Sequence, residues 1–318
     1  MSTTDVSATD SASLTDAAST REGFINALGA YLAWGFIVFY FKAVDHVPPL
    51  EVLAHRIAWS VPLLMAVLVW QGRLASVRTV LRDRRTLGVL LATTVLIAIN
   101  WLVFILAVFH DQVLQASLGY YINPLVSVLL GMAFLGERLR PVQWLAAGLA
   151  VVGVLVLAIG YGVVPWISLL LASSFGLYGL LRKTVRADGL VGLLVETALL
   201  LPLCLGYLGY LAATGELVFG QDLATSLLLP AGGVVTAVPL LWFANGVRRL
   251  RLSTIGFMQY IAPTMQFLIA VLVFAEPFTA GHQKAFVCIW LAVGLYSADA
   301  WRVSRNRRMP PRSESDQT

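Results

Sequence analysis

Residues 120–137 read YYINPLVSVLLGMAFLGE, and residues 259–276 read QYIAPTMQFLIAVLVFAE, 139 positions later. In this alignment Tyr121 meets Tyr260, Pro124 meets Pro263 and Glu137 meets Glu276. The correspondence carries outward. Ala107 and Val108 meet Gly246 and Val247 at the same offset. Trp34, Gly35 and Lys42 meet Phe175, Gly176 and Lys183 at an offset of 141, and Pro62 meets Pro202 at 140. Matches that keep their order while the offset drifts by two positions indicate an internal repeat, although any two bundles of apolar helices share some likeness.

The repeat is written in apolar segments. The chain of 318 residues is 58% hydrophobic and 12% charged, whereas soluble domains carry about a quarter charged residues. Ten segments approach the roughly 20 apolar residues needed to cross hydrocarbon: 23–41, 50–70, 87–108, 114–135, 142–160, 164–181, 189–211, 226–247, 254–275 and 283–301. Their continuous, non-alternating character excludes a membrane β-barrel. Five spans per copy is an odd number, so the second copy enters the membrane upside down. The expected fold is therefore an all-α membrane protein of ten transmembrane helices in two inverted five-helix repeats. These cover 23–160 and 164–301, with a disordered tail at 1–22 and a basic tail at 302–318.

Charge sets the expected orientation. With the N-terminus in the cytoplasm, nineteen of the 22 Lys and Arg fall on the cytoplasmic side. Only Lys42 and Lys284 fall outside, and Arg56 lies within a span. This is the positive-inside pattern, and it places both termini in the cytoplasm. The net charge of +5 is spread between apolar runs rather than gathered in one patch, so no nucleic-acid partner is expected. The first twenty or so residues have no apolar h-region of a cleavable signal. Cys204 and Cys288 both lie in apolar runs and read as inert thiols.

Ionisable groups in hydrocarbon are expensive and mark candidate sites. His55 and Arg56 lie about six residues into the second span, and Glu196 about seven into the seventh. At an offset of 141, Glu196 aligns with His55, and inversion places the two at opposite depths. Arg56 either faces a cavity, where it could hold an anionic or polar group, or snorkels or pairs with Glu51 or Asp45. His55 and Glu196 are candidates for proton coupling, Glu196 alternatively pairing with Arg182. The fourth and ninth spans carry polar stripes: Ser117, Tyr120, Asn123, Pro124, Ser127 and Gly131, against Gly256, Gln259, Tyr260, Pro263 and Gln266. A proline frees a carbonyl one turn earlier and bends its helix. Paired bends in inverted halves point to a central site. Pro124, Pro239 and Pro263 are the expected kink or gating positions. Trp34, Asn100, Trp101, Tyr178 and Trp242 add mid-span aromatic and amide groups, which either line a path or pack. The expected substrate-binding set is thus Trp34, Arg56, Asn100, Trp101, Tyr120, Tyr121, Asn123, Tyr178, Trp242, Gln259 and Tyr260.

Enzymatic chemistry finds little support. His110 and Asp111 have no third partner, no metal-ligand spacing is present, and the glycines form no phosphate loop. No catalytic residue, metal or cofactor is expected. The expected partners are a small-molecule substrate and the lipid bilayer, and a homodimer is compatible with the sequence.

Six passages carry a family resemblance: AYLAWGFIVFYFK, EVLAHRIAWS, NWLVFILAV, ASLGYYINPLVSVLLGMAFLGERLR, LLVETALLLP and LRLSTIGFMQYIAPT. They resemble the RarD branch of the EamA-type transporters, in the drug/metabolite transporter superfamily. The resemblance covers all but the two tails. It implies ten helices, two inverted halves and a central cavity, with alternating-access efflux or exchange of small metabolites or drugs. The branch name is linked to chloramphenicol sensitivity, so an amphenicol-like compound or an amino-acid-like metabolite is an expected substrate. A bacterial inner (plasma) membrane is the expected location. The chain departs from the pattern at Ala275, where the first half has Gly136. The alternatives are a membrane-embedded enzyme acting on a lipid-linked substrate and a non-transporting scaffold.

Overall fold

The computed structural model describes residues 3–306 except 137, 162–163, 186, 251–253 and 256–257. The described elements are all helices: α1 (Thr3–Ala43), α2 (Pro49–Trp70), α3 (Leu74–Arg82), α4 (Arg84–Phe109), α5 (Val113–Leu135), α6 (Pro141–Tyr161), α7 (Trp166–Thr184), α8 (Gly189–Thr214), α9 (Leu223–Arg249), α10 (Ile261–Leu272) and α11 (Ala280–Asn306). Nine of the ten expected spans each overlap a single helix, and the ninth in order, 254–275, does not. Seven helices are long and apolar enough to cross a membrane, namely α1 from Ser19 onward, α2, α4, α5, α6, α8 and α9. The chain is a multi-pass membrane protein.

Three segments differ from expectation. The arginine-rich connection after α2 contains α3, a nine-residue helix with Leu74, Val77 and Leu81 along one side and Arg78 and Arg82 on another. It is too short and too charged to register as a span. At the N-terminus, residues expected to form a disordered tail continue α1 back to Thr3. No glycine or proline interrupts residues 3–22, so a helix already nucleated by the span meets no stop signal. The ninth span is not one helix either: a turn at Gln259 and Tyr260 precedes α10. Pro263 has no N–H for the Gln259 carbonyl one turn earlier, and its ring crowds that carbonyl. In the other half, α5 runs through Pro124 without interruption.

Helix starts are fixed locally. Asp83, Asp188 and Asp222 cap α4, α8 and α9 by accepting hydrogen bonds from first-turn amides. The Thr86 hydroxyl holds the Asp83 carboxyl below the usual carboxylate range, and the Thr225 amide does the same for Asp222. The N-terminus of α5 is capped from far away in sequence. Glu276 accepts from the amides of Val113 and Leu114, both at 2.8 Å. It is delivered there by Ala275 at φ 52°, where Gly136 occupies the matching place at φ 67°.

The larger helix contacts recur when the halves are exchanged. α1 packs on α9 as α7 packs on α4; α1 packs on α10 as α7 packs on α5; α2 packs on α9 as α8 packs on α4. The pairs α2–α8, α5–α10 and α6–α11 are each their own image. Individual residues obey the same rule. A Cβ built on Gly35 would lie 2.8 Å from the Met265 Cβ, and one on Gly176 would lie 3.0 Å from Val126 Cγ1. Gly35 corresponds to Gly176, and Met265 lies 139 positions after Val126. The matched residues Tyr121 and Tyr260 stack on each other, with ring centroids 6.2 Å apart and planes at 17°. α1, α10, α5, α7, α4 and α9 form a central group, and Phe41 on α1 meets Phe104 on α4 at 5.8 Å between centroids. α6 and α11 pair to one side of it.

Candidate substrate site

Arg56 is the seventh residue after the start of α2, about 10 Å along the axis. Its surroundings depend on how closely α9 approaches. A Cβ on Gly233 would lie 2.6 Å from the Trp59 carbonyl carbon, and one on Gly232 would lie 2.5 Å from the Tyr40 hydroxyl. A side chain at Gly233 would push α2 away, whereas at Gly232 the Tyr40 side chain on α1 would have to give. One turn beyond Gly232, Thr236 accepts a 2.6 Å hydrogen bond from Arg56 Nε and donates to the Gly232 carbonyl. The guanidinium carbon lies 4.3 Å from the Trp101 ring centroid and 5.6 Å from that of Phe41, within cation–π range.

Arg56 is only 7% exposed, yet no carboxylate pairs with it among the described residues. Both partners considered from the sequence are engaged elsewhere. Glu51 accepts from the amides of Val218 and Phe219 at 3.0–3.3 Å, and Asp45 lies 3.6 Å from Lys42. Neither Nη atom of Arg56 has a hydrogen-bond partner among the described residues.

Glu196 is the seventh residue after the start of α8. It accepts from Thr93 Oγ1 at 2.6 Å and from the Tyr178 hydroxyl at 3.2 Å, and Arg182 Nη1 lies 3.8 Å away. Thr93 is 139 positions before Gly232. The structural image of Glu196 is therefore Arg56, at the offset of 140 shared by Pro62 and Pro202, and not His55 as aligned from the sequence. The one-residue error arose because the α1–α7 match runs at 141, and that register was carried into the next helix. His55 is built into the packing: Trp59 Nε1 donates to its Nδ1 at 3.3 Å, its ring lies 4.8 Å from that of Phe219, and its Nε2 lies 3.9 Å from Glu51.

The remaining candidates divide by contact. Trp101 and Tyr120 belong with Arg56; the Tyr120 hydroxyl donates to Asn100 Oδ1 at 3.3 Å. Asn100 is fully engaged, since its Nδ2 donates to the Leu171 carbonyl and to Ser174 Oγ, which ties α4 to α7. Tyr178 belongs with Glu196. Asn123 is half-buried toward Gly176, and its Oδ1 is buried without a hydrogen-bond partner among the described residues. Tyr121 and Tyr260 stack between the halves, and Tyr121 bonds Thr264 at 2.7 Å. Trp34 packs with Tyr31 and Phe243, away from Arg56. Trp242 is 42% exposed, with its ring over Gly29. Gln259 lies in the turn before α10. Pro124, Pro239 and Pro263 are all buried. Gly256 and Glu137 lie outside the described residues.

Phe41, Tyr40, Thr236 and the Gly232–Gly233 pair escaped the sequence reading. The adjacent glycines one turn before a buried threonine were the available signal.

The pattern of the EamA-like transporter family matches residues 21–159. A protein of Vibrio cholerae named as an uncharacterized transporter is 45% identical, over 92% of this chain and 97% of its own. Protein RarD of Salmonella typhi is also 45% identical, over 92% of this chain and all of its own. The chain belongs to the RarD branch of the EamA-like transporter family. A solved structure at 22% identity and a TM-score of 0.56 covers 90% of this chain and 99% of that one, and shares the fold.

Proposed function

We propose that this chain is a secondary carrier of the drug/metabolite type. It has ten spans in two inverted halves, 23–160 and 164–301, and both termini in the cytoplasm of a bacterial plasma membrane. The halves rock about the Tyr121–Tyr260 stack and expose a central site to each side in turn. The cargo is a small amphipathic metabolite or drug, amino-acid-like or amphenicol-like, moved by efflux or exchange. Arg56, Trp101 and Tyr120 contact it.

The observation that carries this reading is the self-image of the helix packing under exchange of the halves. A scaffold needs no such symmetry. An enzyme acting on a lipid-linked substrate needs its ionisable groups gathered at one depth, whereas Arg56 and Glu196 occupy image positions in opposite halves. The test is counterflow in liposomes holding the purified protein, with a panel of amino acids, aromatic metabolites and amphenicols. Saturable exchange of at least one solute is expected. Exchange of none, from protein shown to be folded, sinks the reading.

A further inference from the structure

We propose that Arg56 is the counter-charge for a substrate carboxylate, and that the cargo is an organic monocarboxylate with an apolar, aromatic-compatible body. This rests on the carrier reading and narrows its substrate class.

An arginine stays charged in proteins, and a buried charge without a partner is costly. Here the guanidinium lies over the faces of Trp101 and Phe41, and Thr236 occupies its Nε. The two Nη atoms remain, side by side, in the geometry that receives both oxygens of a carboxylate. Among the described residues, nothing nearby supplies the negative charge from within. Glu51 is occupied by backbone amides, Asp45 and Asp111 flank Lys42, and Glu196 is met by Arg182.

The same inventory selects among ligands. A zwitterionic amino acid brings an ammonium that, among the described residues, finds the hydroxyls of Tyr40, Tyr120 and Thr236 around the guanidinium, and none of these carries a negative charge. A doubly charged phosphate would need a second cation, and none stands beside Arg56 among the described residues. A monoanion matches the single positive charge. Beyond the guanidinium, Phe41 meets Phe104 and Phe104 meets Tyr120, each at 5.8 Å between centroids. Phe41 and Phe104 are themselves buried, so the half-buried Tyr120 is the ring of this group that an apolar body would meet.

The test compares four probes of one skeleton on the purified full chain: 3-phenylpropionate, 3-phenylpropanamide, phenylalanine and phenethylamine. Binding is read by quenching of tryptophan fluorescence and by calorimetry. The carboxylate is expected to bind at least tenfold more tightly than the amide and more tightly than phenylalanine, with the amine weakest. Arg56→Gln should cost the carboxylate at least tenfold and the amide markedly less, and Arg56→Lys should recover part of the carboxylate's loss. Equal affinity for acid and amide, tighter binding of phenylalanine, or no saturable binding of the acid overturns the assignment. These comparisons need only the unaltered protein, so a misfolded variant does not block them. Liposome counterflow separates the two readings. Carboxylate binding without transport of any solute overturns the carrier reading and leaves the Arg56 assignment standing. Transport of amide or phenylalanine that the carboxylate cannot inhibit overturns the assignment and leaves the carrier.

Discussion

Arg56 and Glu196 occupy image positions in the two halves, yet their charges are handled in opposite ways. Glu196 is fully buried and satisfied, with Thr93, Tyr178 and Arg182 around it. Arg56 has one hydrogen bond, to Thr236, and two aromatic faces, with no acid beside it. The helices behind them differ in step. Gly232 and Gly233 let α9 press against α2, whereas their images are Thr93 and Thr94. There the Thr93 hydroxyl spans the gap to the carboxylate, while Thr94 bonds back to the Leu90 carbonyl. The lesson is that one architecture holds a closed charge cluster in one half and an open one in the other. Burial alone does not tell them apart; the partner inventory does.

The comparison breaks most sharply at Arg182. Arg182→Met leaves Glu196 buried without its cation, and a loss of about 3 kcal/mol or more in unfolding free energy is expected. The Arg182→Met/Glu196→Gln double variant should recover most of it. Thermal unfolding in detergent measures both, and an unchanged melting temperature in the single variant would show that Thr93 and Tyr178 suffice. Next is Gly233→Ala, whose Cβ would meet the Trp59 backbone. A cost of roughly 1–3 kcal/mol is expected from forced separation of α2 and α9, together with weaker ligand binding as Thr236 moves off the guanidinium.

The left-handed positions of the two halves offer a smaller effect. Ala275 holds φ 52° where Gly136 holds φ 67°, and an alanine there is strained. Ala275→Gly should stabilise by about 0.5–1 kcal/mol, read from the same melts. Destabilisation would place the strain elsewhere. The smallest effect is expected at the open charge. Arg56→Met fills similar volume without a charge, so its stability should stay within about 1 kcal/mol of the parent while carboxylate binding is lost. A large fall in melting temperature would mean that Arg56 holds the fold together.

The helices were legible because spans advertise themselves by length and apolarity, and the repeat is proposed because proline, tyrosine and glycine recur at fixed offsets. α3 was not legible, since nine amphipathic residues give neither signal. Of the candidate site, the sequence marks Arg56, Trp101 and Tyr120 as polar or aromatic residues within apolar segments. Their grouping depended on the close approach of α9 to α2, set by two glycines that carry no chemistry of their own. Asn100 and Tyr178 were read as lining residues because their partners, Leu171, Ser174 and Glu196, are distant in sequence. Position on a helix tells that a polar group is buried, but not who satisfies it.

The paired contacts Gly35–Met265 and Gly176–Val126 carry a consequence for energetics. In a rocking carrier built from inverted halves, exchanging the halves also exchanges the two access states. Two identical halves would make those states equal in free energy. On the proposed carrier mechanism, any preference at rest is a sum over differences between image residues, such as methionine against valine here, or alanine against glycine at the ends of the matched helices. Substitutions that make one half resemble the other act as weights on a balance, and two such substitutions in opposite halves should cancel.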